Sequence, residues 1–263
     1  MSVIVFGSIN MDLVARTPRL PVPGETLSGY SFETIPGGKG ANQAVAVARL
    51  GIPTQMIGRV GGDRFGRDLI DSLRSSQVNC DGVFTDAETA SGVAMIAVDD
   101  HSENHIIIIP GANGRVDVTD IDRLQTALSD ASVLLLQLEV PIAIVVAAAQ
   151  AAQQAGVTVI LDPAPAQTEL PPELYSLVNI LTPNQVEAGQ LVGFDLDDSE
   201  SILAAATTLN QRGVDAVLIK LGKRGAFCLS AQGSFEIPAF EVQAIDTVAA
   251  GDAFNGGLAA GLA

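Results

Sequence analysis

Asp252 stands in the run DTVAAGDAFNGG, directly after Ala249, Ala250 and Gly251, three residues with little or no side chain. Small apolar residues follow at helical spacing, which puts the acid at the mouth of a helix behind nearly bare backbone. A helix N-terminus offers unpaired N–H groups and a partial positive charge, and small residues let an anion come close. Ala249, Ala250 and Gly251 therefore read as an anion cradle. A carboxylate at its rim can take the proton of a hydroxyl that attacks a phosphoryl group held there. Phosphoryl transfer is mostly positioning plus electrostatics, so a carboxylate of ordinary basicity suffices. The helix dipole is expected to lower the Asp252 pKa and keep the group ionised at neutral pH. Seen alone, Asp252 is better explained as a helix N-cap.

Other polar residues gather where apolar strands end, the place where doubly wound α/β folds bind ligands. Asn10 and Asp12 follow the first strand in GSINMD, and Gly38, Lys39 and Asn42 lie in GGKGAN before the first long helix. Glu139 follows SVLLLQL, Asn184 and Glu187 follow NILTP, and LGKRG, from Leu221 to Gly225, follows DAVLIK. Each has a plain structural reading. Asn10 and Asp12 suit a turn, Lys39 a solvated charge, and Glu139 a helix start ahead of Pro141. Asn184 and Glu187 have capping-box spacing, and LGKRG suits a turn. Together these donors and acceptors fit a small polyol, because each hydroxyl both gives and accepts hydrogen bonds. GGKG is not a Walker A loop, since Gly40 follows Lys39 where that loop has Ser or Thr; no GxGxxG follows the first strand either.

The scaffold that must position these residues is a repeat of apolar strand, turn and amphipathic helix. VIVFG (Val3–Gly7), TQMIGRV, SVLLLQL, VTVILDP, NILTP and DAVLIKLG read as strands. Between them lie helical patterns such as GANQAVAVARLG, DRFGRDLIDSLRSS, VTDIDRLQTALSDA and PIAIVVAAAQAAQQAG. Such Val/Ile/Leu-rich strands separated by helices predict a mostly parallel central sheet covered on both faces. Thr26–Ile35 and Ser91–Gly111 break the rhythm as strands without helices and predict a small β-sheet lid. Gly225–Phe240 predicts an antiparallel hairpin at the late edge of the main sheet.

The chain has 263 residues, enough for one large α/β domain or two modest ones, and a formal net charge of −16, which disfavours nucleic acid and anionic membrane as partners. Its apolar runs are too short to span a bilayer, and its start carries no leader pattern, so a cytoplasmic location is expected. Cys80 and Cys228 have no metal or disulfide spacing and read as reduced thiols. His101 and His105 read as residues of the DDHSEN turn.

GSINMD, PVPGET, GGKGANQAVA, TPNQVEA, LGKRG and DTVAAGDAFNGGLA, in this order along the whole chain, resemble the PfkB carbohydrate kinases. Within that family, DTVAAGD, QLEVP and DPAPA are most similar to the ribokinase group. The resemblance implies a single α/β kinase domain over 1–263 of ribokinase-like fold, with lid segments about 13–35 and 89–111 that also form a homodimer contact. It implies transfer of the ATP γ-phosphate to a primary hydroxyl of a small sugar, D-ribose to D-ribose 5-phosphate, with Mg2+ and with K+ as activator. Asn10, Met11 (through its backbone), Asp12, Gly38, Lys39, Asn42 and Glu139 would hold the sugar, with Ala94 and Ile108 of the lid over it. Asp252 would be the base and Ala249, Ala250 and Gly251 the anion hole. Asn184, Lys220, Gly222 and Gly225 would border the nucleotide, Glu187 would act on Mg2+ through water, and Asp246 and the Val248 carbonyl would bind K+. Lys220 stands where the family often has Thr, and the family's C-terminal portion is expected to be absent. Alternatives are another sugar or nucleoside kinase, such as a fructokinase, or a non-catalytic sugar- or nucleotide-binding relative. A sugar phosphate is disfavoured because Thr26–Ile35 and Ser91–Gly111 hold no Lys or Arg.

Overall fold

The computed structural model describes residues 2–101, 103–243 and 247–263. In chain order, β1 (Ser2–Phe6) leads to β2 (Asn10–Arg16), β3 (Ser31–Gly37), α1 (Lys39–Arg49), β4 (Thr54–Gly61), α2 (Arg64–Ser75) and β5 (Asn79–Asp86). β6 (Gly92–Val98), β7 (Asn104–Ile109), α3 (Val118–Ala127), β8 (Ala131–Leu136), α4 (Ile142–Gln154), β9 (Thr158–Leu161) and α5 (Pro172–Tyr175) follow. The chain continues through β10 (Ile180–Leu181), α6 (Gln185–Val192), α7 (Ser199–Gln211), β11 (Ala216–Lys220), β12 (Ala226–Ser230), β13 (Gly233–Ile237) and α8 (Ala250–Leu262).

Nine strands form the main sheet in the order β13-β12-β11-β10-β9-β8-β1-β4-β5. Its strands run parallel from β5 to β11, and β12 and β13 add an antiparallel hairpin at the edge, as their sequence predicts. Side chains alternate across each strand, so both faces of the sheet are apolar. Ile4, Phe6, Leu134 and Leu136 pack on one face with Leu124, Val145, Ala148, Ile202 and Leu209 of α3, α4 and α7. Val3, Val5, Val133 and Leu135 pack on the other with Ala44, Val47, Leu69, Leu73 and Ala259 of α1, α2 and α8. Each fully buried Leu or Val contributes about 1.5–3 kcal/mol relative to exposure. Among the described residues, no helix is long and apolar enough to cross a membrane.

Four strands form the small sheet in the order β3-β2-β6-β7. Its register matters for the site. Asp12 pairs with Ile35 on one side and Ala94 on the other, and Ala94 pairs with Ile108. Directly paired residues share a face, so these four side chains form one row.

Two elements differ from the sequence reading. Asn10 and Asp12 belong to β2 rather than to a turn after β1. β5, in NCDGVFTD, is an edge strand that the sequence pattern does not reveal, because Asp81 and Gly82 interrupt any apolar run. It is held by backbone pairing with β4.

Candidate active site

The site forms where β1, β8, β9 and β11 end and α1 and α8 begin. Gly38 precedes α1 with φ +89, and a Cβ there would lie 2.7 Å from the Asn10 backbone nitrogen. Only glycine takes this conformation freely and leaves room for β2, and the result brings Lys39 to the first turn of α1 beside Asn10 and Asp12. Glu139 serves the same helix start: its Oε2 accepts from the Lys39 backbone N–H at 3.2 Å and from the Ser8 hydroxyl. It therefore caps α1, not the α4 start that its position before Pro141 predicts.

α8 begins from Ala249, whose φ of +58 is left-handed and costs an alanine about 1 kcal/mol. Asp252 is the third residue of this helix rather than its N-cap, and it is buried. Asn42 Nδ2 donates to Asp252 Oδ2 at 3.1 Å, and Gln43 Nε2 donates to Oδ1 at 3.1 Å. Burial raises the Asp252 pKa above the usual carboxylate value; Lys39, Asn42 and Gln43 pull it back only in part. This corrects the expectation of a lowered pKa: desolvation outweighs the dipole.

Lys39, Asp162, Glu187, Lys220 and the stretch Ala249–Asp252 line one cavity of ≈ 290 Å³. Burial alone would lower the Lys39 pKa, but Asp252, Asp162, Glu139 and Glu187 together hold it above its usual value. Lys220 Nζ pairs with Asp162 Oδ1 at 2.9 Å and lies 3.5 Å from where a Gly251 Cβ would stand, beside the first turn of α8. Asn184 and Glu187 form the reciprocal capping box at α6 that their spacing predicts, with Asn184 Oδ1 accepting at 2.9 Å and Glu187 Oε2 at 2.7 Å. Both also line the cavity, and burial raises the Glu187 pKa. Gly222 lines it too, while Gly225 closes the turn behind, its carbonyl accepting from Leu221 N–H at 2.8 Å.

On the small-sheet side, Asp12 has its pKa raised to about 6, first by burial and then by Glu139 and Asp252. Asp12 thus feels the charge of Asp252, but Asp12, Ala94 and Ile108 are not among the residues that line the cavity. Met11 is buried next to it, and Asn10 Oδ1 accepts from Asn113 Nδ2 at 2.7 Å. Val248 sits in the turn before α8, and Asp246 lies outside the described residues. The sequence reading misses Gln43, Asp162, Asn113 and Ser8. For Asp162 a signal exists: it directly follows β9, the same strand-end position that singles out Glu139 after β8.

The family model described as pfkB family carbohydrate kinase matches residues 1–263. The chain belongs to the pfkB family of carbohydrate kinases. A ribokinase of Haemophilus influenzae is 41% identical over 258 residues, which cover 98% of this chain and 84% of that one. A deoxyribokinase of Salmonella typhi is 39% identical over 97% of this chain and 84% of its own. Among solved structures, that of Arabidopsis thaliana ribokinase complexed with ribose and ATP superimposes with a TM-score of 0.91 at 34% identity, over 98% of this chain and 85% of the other. The pfkB assignment agrees with Lys39, Asp162 and the start of α8 meeting around one cavity.

Proposed function

We propose that the protein transfers the γ-phosphate of ATP to the primary hydroxyl of D-ribose, giving ADP and D-ribose 5-phosphate. The observation that carries this reading is that Lys39 and Ala249–Asp252 border one cavity with the Asp252 carboxylate inside it. The relatives and the ribose–ATP complex support the substrate pair. In this reading Asp252 takes the hydroxyl proton, the hydroxyl oxygen bonds to Pγ, and the bond from Pγ to the ADP oxygen breaks. Lys39, Lys220 and the backbone of Ala249–Gly251 face the charge that spreads over the phosphoryl oxygens. Asp12, Asn10, Asn42 and Glu139, with Met11 and Gly38, hold the sugar hydroxyls, and Ala94 and Ile108 cover its apolar side. Asn184, Gly222 and Gly225 border the nucleotide.

Magnesium supplies charge neutralisation on the transferred group when bound. Among the described residues, no three His, Cys, Asp or Glu side chains gather as a metal cage. Both oxygens of Asp162 are already paired, and Glu187, which lines the cavity, would act on the ion through water. Potassium at Asp246 and the Val248 carbonyl belongs to the same reading, and no step rests on it. The homodimer also belongs to it. Phe32, Met95 and Ile107 lie on the small-sheet face turned away from Asp12 and are 63%, 49% and 61% exposed.

The test is ADP release with a panel of ribose, 2-deoxyribose, fructose and adenosine. Ribose is expected to give the highest kcat/KM. A second reading, 2-deoxyribose, is favoured by the 39% identity to the Salmonella typhi relative. Binding of ribose and ATP without any ADP release would rule out the kinase.

A further inference from the structure

Two glutamines meet in the interior behind Asp252. Gln43, on α1, and Gln137, directly after β8, are both fully buried. Gln137 Nε2 donates to Gln43 Oε1 at 2.7 Å. Gln43 Nε2 donates to Asp162 Oδ2 at 3.0 Å and to Asp252 Oδ1 at 3.1 Å. A primary amide has two N–H donors, so Gln43 spends both on carboxylates. Only one amide orientation works. Rotated by half a turn, the Gln43 carbonyl would face two carboxylates and its NH2 would face the NH2 of Gln137. The fit is close, since a Cβ on Gly7 would stand 1.9 Å from Gln137 Oε1.

We propose that Gln137 and Gln43 form a two-amide chain that orients the Asp252 carboxylate for proton acceptance and ties it to Asp162. Both are positioning residues, and the proposal rests on Asp252 being the base of the kinase reaction. The two carboxylates set which end of the Gln43 amide faces them, and the Gln137 N–H secures its other end. Gln43 anchors Oδ1 of Asp252, which leaves Oδ2, shared with Asn42, to receive the hydroxyl proton. Through Asp162 the chain also reaches Lys220 beside the first turn of α8. The other charged groups facing Asp252 are Lys39 from α1, Asp162 from the end of β9 and Asp12 from β2. Burial, and after it the charge of Asp162, raise the Asp252 pKa, and Gln43 is one of the groups that oppose them; without its donor the Asp252 carboxyl holds its proton to higher pH.

The test compares wild type with Gln137→Met and Gln43→Met, similar in length but without a donor. Two readouts are taken: the Asp252 carboxyl titration by 13C NMR in the ligand-free protein, and the pH profile of kcat. In Gln43→Met both the titration midpoint and the acidic limb should rise by about one pH unit. The shift should be smaller in Gln137→Met. In both, kcat should fall about 10- to 100-fold while KM for sugar and ATP stays within about threefold. Thermal unfolding confirms the fold, and if Gln43→Met does not fold, Gln137→Met decides alone. A folded Gln137→Met with midpoint and limb at their wild-type pH, beside an active wild type, overturns the amide chain only. A wild type that transfers no phosphate overturns the kinase reading and this proposal together.

Discussion

Asn42 Nδ2 and Asp252 Oδ2 lie 3.1 Å apart although 210 residues separate them in sequence. This bond ties the start of α1 to the first turn of α8, so Lys39 and the Ala249–Asp252 stretch are brought to one cavity by the fold itself. An alignment set before ligands bind spends no binding energy on assembly, which is what positioning catalysis requires.

Lys220 tests the nucleotide side. Its partner Asp162 has a side chain only 2% exposed. Lys220→Met leaves that carboxylate buried without its cation, and removal of one member of a buried pair costs about 3 kcal/mol or more. Chemical denaturation should show that loss. Steady-state kinetics should show KM for ATP raised by roughly tenfold or more, with KM for the sugar changed far less.

Asp12 carries a stability cost at neutral pH. Its folded pKa of about 6 lies above the ordinary aspartate value of 3.8. The folded state therefore binds the proton more tightly, and stability falls as pH rises from about 4 through 6. Asp12→Asn removes the cost. Its Tm should exceed that of wild type at pH 7.5, and the gain should shrink on moving to pH 5. The same variant should raise KM for the sugar at least about tenfold, because an acceptor of hydroxyl protons is lost. A Tm gain that is constant from pH 7.5 to 5 would contradict the assigned pKa.

Gly38 is a backbone test. A methyl group there meets the Asn10 backbone at 2.7 Å, and φ is +89. Gly38→Ala should destabilise the protein by roughly 1–3 kcal/mol and displace Asn10 and Lys39 together. Thermal denaturation and KM for the sugar should worsen in the same variant, whereas Gly257→Ala, where an added Cβ meets nothing within 4 Å, should change neither.

Ile107 tests the proposed dimer. It stands beside Met95 on the outer face of the small sheet. Ile107→Asp places a charge in that apolar patch and should shift the protein to monomers in light scattering at micromolar concentration.

The strand–helix rhythm was legible because the strands are buried on both faces and read as unbroken Val/Ile/Leu runs. The strand-end rule singles out Asn10, Lys39, Glu139 and Asp252 as candidates. β5 was hidden because an edge strand of mixed polarity is made by its neighbour, not by its own residues. Gln43 carries no signal of its own in the sequence, yet it lies four residues after Lys39 and one after Asn42, on the face of α1 that meets α8. Its role follows only from the partners that the fold brings to it. The Asp252 pKa was misjudged for a similar reason. A helix dipole can be read from sequence, whereas the depth of burial that overrides it depends on how α8 packs on α1.

The central claim is that Asp252 accepts the hydroxyl proton. Single-turnover transfer from ATP to ribose, measured for Asp252→Asn, tests it most directly. The prediction is a rate lower by about 1,000-fold or more, with ribose and ATP still raising the melting temperature of the variant. Transfer within about threefold of the wild-type rate would contradict it.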